Sequence, residues 1–155
     1  MLFGIKKYNW FYCKLHNIRI WKPSNIYDSA RISDGVSIGA FSEIGPNVVI
    51  GEGTRIGFGS FIPEGITIGK NCFIGPRFCG SNDMYPPSPR IHWQEIIIKD
   101  RVSIGANCSI RPGVTIESDS LIGMGSVITH DVPHKEIWAG NPCKRIRKKH
   151  EKREK

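Results

Sequence analysis

Isoleucine falls at positions 26, 32, 38, 44, 50, 56, 62, 68 and 74, nine in a row at a spacing of six. The series resumes at Ile98, Ile104, Ile110, Ile116, Ile122 and Ile128. Two residues before each isoleucine the side chain is small or β-branched, from Ser24, Ala30 and Val36 through to Val114, Ser120 and Ser126. Glycine follows the isoleucine in eight of the fifteen units, as in "SIGA" and "TIGK". A period of six does not fit a helix of 3.6 residues per turn; it suits a short strand followed by a corner. Strand side chains alternate, so the isoleucine and the residue two before it share a face and point inward together. The glycine or polar residue that follows is expected to make the bend. Flat sides of this kind, coiled and paired backbone to backbone, predict a β-solenoid filled by stacked isoleucines. Each contributes roughly 1.5–3 kcal/mol when buried.

The rhythm stops once, at "RFCGSNDMYPPSPRIHWQ", residues 77–94. Ile74 and Ile98 are 24 residues apart, a multiple of six, so the coils can resume in phase after extruding a loop. A repetitive wall is rigid, and a protruding segment of unlike residues is where chemistry is expected. The ends of a solenoid leave strand edges to be covered. Residues 1–23, with Phe3, Tyr8, Trp10, Phe11 and Trp21, are expected to cap the first coil. At the other end Asn141 followed by Pro142 reads as the N-cap and first position of a short helix. The chain thus divides into a cap at 1–23, a solenoid at 24–136 carrying the loop, and a basic segment at 137–155.

Charge changes the picture only when it is divided. Of the net +8, residues 144–155 hold eight Lys/Arg against two Glu, and residues 1–22 hold five basic and no acidic residues. The middle of the chain is mildly acidic. A nucleic-acid surface would spread its basic residues over one face among aromatics, so no nucleic acid is expected as partner. No run of eighteen apolar residues predicts a membrane span, and the start lacks the pattern of a signal peptide. The five cysteines show no C-x-x-C spacing, which points to free thiols and a cytoplasmic location.

The repeat, [aliphatic]-G-x-x-[small]-x over residues 24–130, resembles that of the hexapeptide-repeat acyltransferases. The resemblance implies an all-β, left-handed parallel β-helix with three hexads per coil, hence about five coils, and a homotrimer with active sites between subunits. That family also includes carbonic anhydrases with a histidine-bound metal. Here the histidines at 16, 92, 130, 134 and 150 all lie outside the hexads, so no metal is expected. "IWAGNPCKRIRK", residues 137–148, resembles the closing G-N-P-A-[KR]-x-I-[RK] of coenzyme A-dependent members, with Cys143 in place of alanine. It implies acetyl-CoA as cosubstrate, with Asn141, Lys144, Arg145 and Arg147 on the coenzyme side. Phosphate at the expected helix N-terminus would suit those cations. "VSIGANCSIRPGVTI" and "LIGMGSVITHDVP" resemble the channel-lining coils, implying coenzyme contacts at Gly105, Ala106, Gly123 and Ser126, with His130 a coenzyme-side or surface residue and not a catalyst.

The loop segment "CGSNDMYPPSPR" resembles the FTND-x-[YF]-P-R-S loop of bacterial nucleotide-linked amino-sugar N-acetyltransferases, with Ser81 for threonine and Pro87 for arginine. Many sugar O-acetyltransferases instead carry Asn-His at this place. A hydroxyl needs a general base, which histidine supplies near neutral pH. A neutral amine needs only orientation and a proton acceptor. The expected acceptor is therefore the amino group of a nucleotide-linked sugar, with Asn82 orienting it and Asp83 anchoring it and accepting the proton. Tyr85 and Trp93 are candidates to stack on the substrate, and Arg77 and Arg90 to meet its diphosphate. The second reading is a sugar O-acetyltransferase with His92 as base. A third is a non-catalytic solenoid that docks through its basic tail.

Overall fold

The computed structural model describes residues 7–149 and coils as a three-sided parallel β-solenoid. Strands of mostly two residues end on the repeat isoleucine. Ser37–Ile38, Glu43–Ile44 and Val49–Ile50 lie on the first, second and third face in turn. Arg19, Ser37 and Arg55 stand in register on the first face, so one coil takes three hexads. Seven parallel strands stack on the first face, six on the second and five on the third. The expected five coils fall short because pairing runs beyond both ends of the hexads counted. Arg19–Ile20 continues the spacing backwards and pairs with Ser37–Ile38, while Glu136–Ala139 extends the first face past Leu121–Ile122.

The isoleucines fill the prism, with Ile38, Ile44, Ile50, Ile62, Ile74, Ile98 and Ile104 fully buried. The small residues two before them include hydroxyls that face carbonyls at the corners: Ser42 Oγ donates to Gly57 O at 3.2 Å and Thr54 Oγ1 to Gly69 O at 2.8 Å. Among the described residues no buried side-chain nitrogen or oxygen lacks a partner, as a low-dielectric interior demands.

The bend is made differently from the sequence expectation. The third residue after the isoleucine takes the left-handed conformation in every hexad from Ile32 to Ile122: φ is 68° at Gly53, 56° at Asn47 and 58° at Arg77. The glycine directly after the isoleucine has another task. A Cβ on Gly75 would lie 2.5 Å from the Gly105 carbonyl carbon of the next coil. These glycines let the corners stack.

The loop is shorter than residues 77–94. Arg77 is a corner residue, and Cys79–Gly80 still pairs with Phe61 and Ser109 on the second face. Phe78 and Gly80 form one more hexad with its sizes exchanged: Phe78 is buried where a small residue is usual, and Gly80 stands where isoleucine is usual. A Cβ on Gly80 would meet Ile66 Cδ1 at 2.5 Å, so that space is already filled. The chain leaves the prism only after Gly80 and rejoins it at Ile96–Ile98, at the edge between the second and third faces.

Both ends are covered. A short helix, Trp10–Leu15, is capped by Asn9, whose side chain accepts from Tyr12 N at 2.9 Å. The Tyr8 hydroxyl donates to Ala30 O at 2.6 Å and accepts from Ile32 N at 3.2 Å, satisfying an open strand edge. The expected C-terminal helix is absent among the described residues. Glu136–Ala139 and Lys144–Lys148 instead form an antiparallel pair around the turn at Asn141–Pro142. The β-ladder offered by Trp138 and its neighbours wins over the local capping signal, so the helix-dipole argument for phosphate falls away. Residues 150–155 lie outside the described part, as do Phe3 and His150.

Candidate functional site

Two regions depart from the regular wall, and they occupy different edges. The first is the loop at residues 81–95, whose conformation is set largely by one side chain. Asp83 accepts from Ser88 Oγ at 2.6 Å and from Tyr85 N at 3.1 Å through one oxygen, and from Ser88 N at 2.8 Å through the other. The Ser88 hydroxyl holds the Asp83 carboxyl below the usual carboxylate range, aided by the backbone bonds and by the field of His92. A carboxylate so engaged is a weak proton acceptor. The geometry makes Asp83 the organiser of the loop, in place of the acid–base task expected from its position.

Asn82 faces the wall. Its Nδ2 donates to Glu64 O at 3.0 Å on the coil below, and its carbonyl accepts from Gln94 N at 2.9 Å, closing the loop neck. Glu64, which sequence reasoning missed, also accepts from Asn47 Nδ2 at 3.1 Å and pairs with Arg90. That pairing ties Arg90 to a carboxylate beside the loop neck. Arg77 sits on the edge between the first and second faces, away from the loop. Tyr85 projects into solvent at 83% exposure, while Trp93 is about half as exposed and leans over the second face. His92 ends a short 3-10 turn, Arg90–His92, and lies close enough to Asp83 to act on its titration.

Beneath the loop a cleft of about 270 Å³ runs between Trp93, Asn82 and the outward side chains Glu43 and Phe61. A second hollow of about 250 Å³ adjoins it around Arg90, Gln94 and Glu95. Glu43 could have been noticed in sequence only by asking which outward residue lies two coils below the loop.

The second region is the edge between the first and second faces. Gly105 donates its amide to Ile122 O at 2.9 Å and Gly123 to Trp138 O at 2.8 Å, so neither amide is left for a ligand. Their missing side chains face the neighbouring coil, where a Cβ on Gly105 would meet Met124 N at 2.5 Å. Ser126 is fully buried, donating to Gly123 O at 2.6 Å and accepting from Gly140 N at 3.1 Å, and so holds the last turn together. Within the chain these three residues stack the coils. The corner residues beside them do better. The amides of Ala106 and Met124 make no hydrogen bond among the described residues and lie on successive coils. Exposed Phe41, Phe58 and Met124 give this edge an apolar character, with the Phe41 and Phe58 rings 5.4 Å apart.

At the end of the solenoid His130, Trp138, Pro142, Cys143, Lys144 and Arg145 surround a hollow of about 250 Å³. Glu136, nearly buried, accepts from Trp138 Nε1 at 2.8 Å and from Arg145 Nε at 2.9 Å, fixing the ring and the guanidinium together. Lys144 and Asn141 are exposed beside them, and Arg147 donates to Lys148 O at 3.2 Å. An aromatic ring amid cationic groups suits a phosphorylated nucleotide even without the helix. No group of three His, Cys, Asp or Glu among the described residues is placed to hold a metal ion.

Comparison with known proteins agrees with this geometry. The pattern described as bacterial transferase hexapeptide (six repeats) matches residues 29–64 and 95–130, and that of the hexapeptide repeat of succinyl-transferase matches residues 65–80. Galactoside O-acetyltransferase of Escherichia coli is 48% identical over 52 residues, covering 34% of this chain and 26% of its own. The chain spans a third or less of the length of the curated relatives it matches. Among solved structures, PerB of Caulobacter crescentus, determined with CoA and GDP-perosamine, superposes with a TM-score of 0.73. It is 24% identical, with 83% of this chain and 56% of PerB covered. AntD, an N-acyltransferase of Bacillus cereus determined with dTDP and 3-hydroxybutyryl-CoA, gives 0.76 at 23% identity, covering 85% and 80%. At these identities the likeness establishes the fold.

Proposed function

We propose, since this chain belongs to the hexapeptide-repeat transferases, that it is an acetyl-CoA-dependent acetyltransferase acting on the amino group of a nucleotide-linked sugar. One observation carries the reading. The loop rises from one edge of the prism, and the unpaired amides leading to the cationic, aromatic hollow lie on another, with the second face between them. A single chain therefore holds two half-sites. They meet when the loop of one copy reaches the first–second edge of the next, as in a homotrimer. The apolar side chains on that edge suit burial by a partner chain.

Acetyl-CoA, when bound, supplies the acyl group as a thioester whose thiol leaves as the amide forms. The chain's own residues do the remaining work. Trp138, His130 and the cations Lys144 and Arg145 take the nucleotide end of the coenzyme. The Ala106 and Met124 amides donate along its arm and toward developing negative charge. Asn82, held by Glu64 O through its Nδ2, keeps its Oδ1 free to accept from the attacking amine. Asp83 shapes the loop that presents Asn82. Proximity and orientation are then the main contributions, because a neutral amine is already a competent nucleophile.

A second reading is supported by His92, which is exposed beside the Asp83 carboxylate. In that place His92 would serve as base for a sugar hydroxyl. Thiol release from acetyl-CoA, measured with nucleotide-linked 3- and 4-amino sugars beside hydroxyl acceptors, separates the two. Turnover with an amino sugar, lost in Asn82→Ala and kept in His92→Ala, is the expected result. Turnover with hydroxyl acceptors alone, lost in His92→Ala, would replace it with O-acetylation. If acetyl-CoA neither binds nor is consumed, the transferase reading itself fails.

A further inference from the structure

We infer that the cleft beneath the loop is the subsite for the acceptor's amine, and that Glu43 is the group that receives it as an ammonium ion. This rests on the acetyltransferase reading for its place in the reaction, but the binding step stands on the cleft alone. Glu43 points outward from the second face, in register with Asn25 on one side and Phe61 on the other. Adjacent parallel strands lie about 4.8 Å apart, so the Glu43 and Phe61 side chains leave the face side by side and line the same cleft. Trp93 and Asn82 close the cleft from the loop side. The result is a polar, ring-sized space with aromatic surfaces, one amide and one carboxylate, which suits an amine-bearing saturated ring.

Glu43 differs from the other carboxylates nearby. Glu64 is taken by Arg90 and Asn47, Glu95 accepts from Thr67 Oγ1 at 2.8 Å, and Asp83 accepts three hydrogen bonds from the loop. Glu43 makes no hydrogen bond or ion pair among the described residues, although it is only partly exposed. Across the two adjoining hollows three glutamates face a single arginine, so the cleft is negative. Such a site attracts an ammonium group and repels phosphate. The nucleotide of a nucleotide-linked acceptor therefore lies outside this cleft, and the amine enters first. Held by Glu43, the ammonium can lose its proton to water before the neutral amine turns to Asn82. In this arrangement Glu43 selects amine over hydroxyl, a discrimination that Asp83 is too engaged to provide.

The test is calorimetric titration of the full chain at neutral pH with glucosamine, 3-amino-3-deoxyglucose and 4-amino-4-deoxyglucose, with glucose as the uncharged control. Acetyl-CoA binding is measured on the same preparations. At least one amine is expected to bind more tightly than glucose. Glu43→Gln should weaken it roughly ten- to a hundredfold, the worth of one charge-assisted hydrogen bond, while leaving acetyl-CoA binding unchanged. Glu43 has no structural partner, so the variant is expected to keep its circular dichroism and melting temperature. Amines that bind no better than glucose, or equally well to Glu43→Gln, would overturn the inference. In that case unaltered acetyl-CoA binding leaves the transferase reading intact. Conversely, Glu43-dependent amine binding by a chain that ignores acetyl-CoA would uphold the subsite and remove the transferase reading.

Discussion

The exchanged hexad under the loop makes a quantitative prediction. In the column of small residues that precedes the second face, Ser24, Ser42, Ser60, Cys108 and Ser126 surround Phe78, and in the column that follows, Ile26, Ile44, Ile62, Ile110 and Ile128 surround Gly80. Phe78→Ser removes a ring that is 1% exposed and should cost about 3–5 kcal/mol through lost burial and the cavity left behind. In a chain of this size that corresponds to roughly 6–20 °C in Tm. Gly80→Ile forces a side chain to within 2.5 Å of Ile66 Cδ1 and 2.9 Å of Pro63 Cδ, an overpacking worth about 1–3 kcal/mol or more. The double variant restores the ordinary hexad. The added isoleucine still meets Ile66 and Pro63, and its room comes from their shifting toward the space vacated by the ring, while the serine can donate to a corner carbonyl as Ser42 and Ser60 do. Melting temperatures of the four proteins, followed by far-UV circular dichroism, form a double-mutant cycle. The double variant should recover at least half of the summed losses, because the two side chains of one hexad point into the same interior and couple through the neighbours they share. Losses that add to within about 0.5 kcal/mol would refute the exchange and place Phe78 and Gly80 in independent surroundings.

Two further outcomes follow from the loop and the thiols. Because the Asp83 carboxyl is held below its ordinary value of about 3.9, its contribution to loop order is complete above that pH and is lost as pH falls through the lowered value. Hydrogen exchange at the Ser88 and Tyr85 amides should show protection at neutral pH that disappears in strong acid and is absent at all pH values in Asp83→Ala; protection in that variant equal to wild type would refute the role. Ellman titration of the native protein should find one fast thiol, Cys79, and lose it in Cys79→Ser. Cys72, Cys108 and Cys143 are buried and Cys13 is partly so, with burial pushing all four thiols up; three or more fast native thiols would contradict that packing.

The sequence by itself determined the repeat, and with it the solenoid, its inward isoleucines and the place where a loop must leave. That is because a six-residue period is a local property repeated many times, and each coil buries the same side chains against its neighbours. It was less informative wherever a residue's role depends on the next coil. The corner glycines at 105 and 123 look like room for a ligand until the next coil is seen to fill it, with Met124 backbone at Gly105 and the Ala139 Cβ at Gly123. Asn141 and Pro142 carry a helix-start signal, but the edge of the first face captures the chain as a strand. Asp83 resembles an acid–base group by its neighbours in sequence, and in the fold it accepts three hydrogen bonds from Ser88 and Tyr85 that set the loop. Glu43 and Glu64 sit in ordinary hexads with nothing to mark them. Only the coiling, which sets residues eighteen positions apart in adjacent rungs, brings them under the loop beside Asn82 and Trp93.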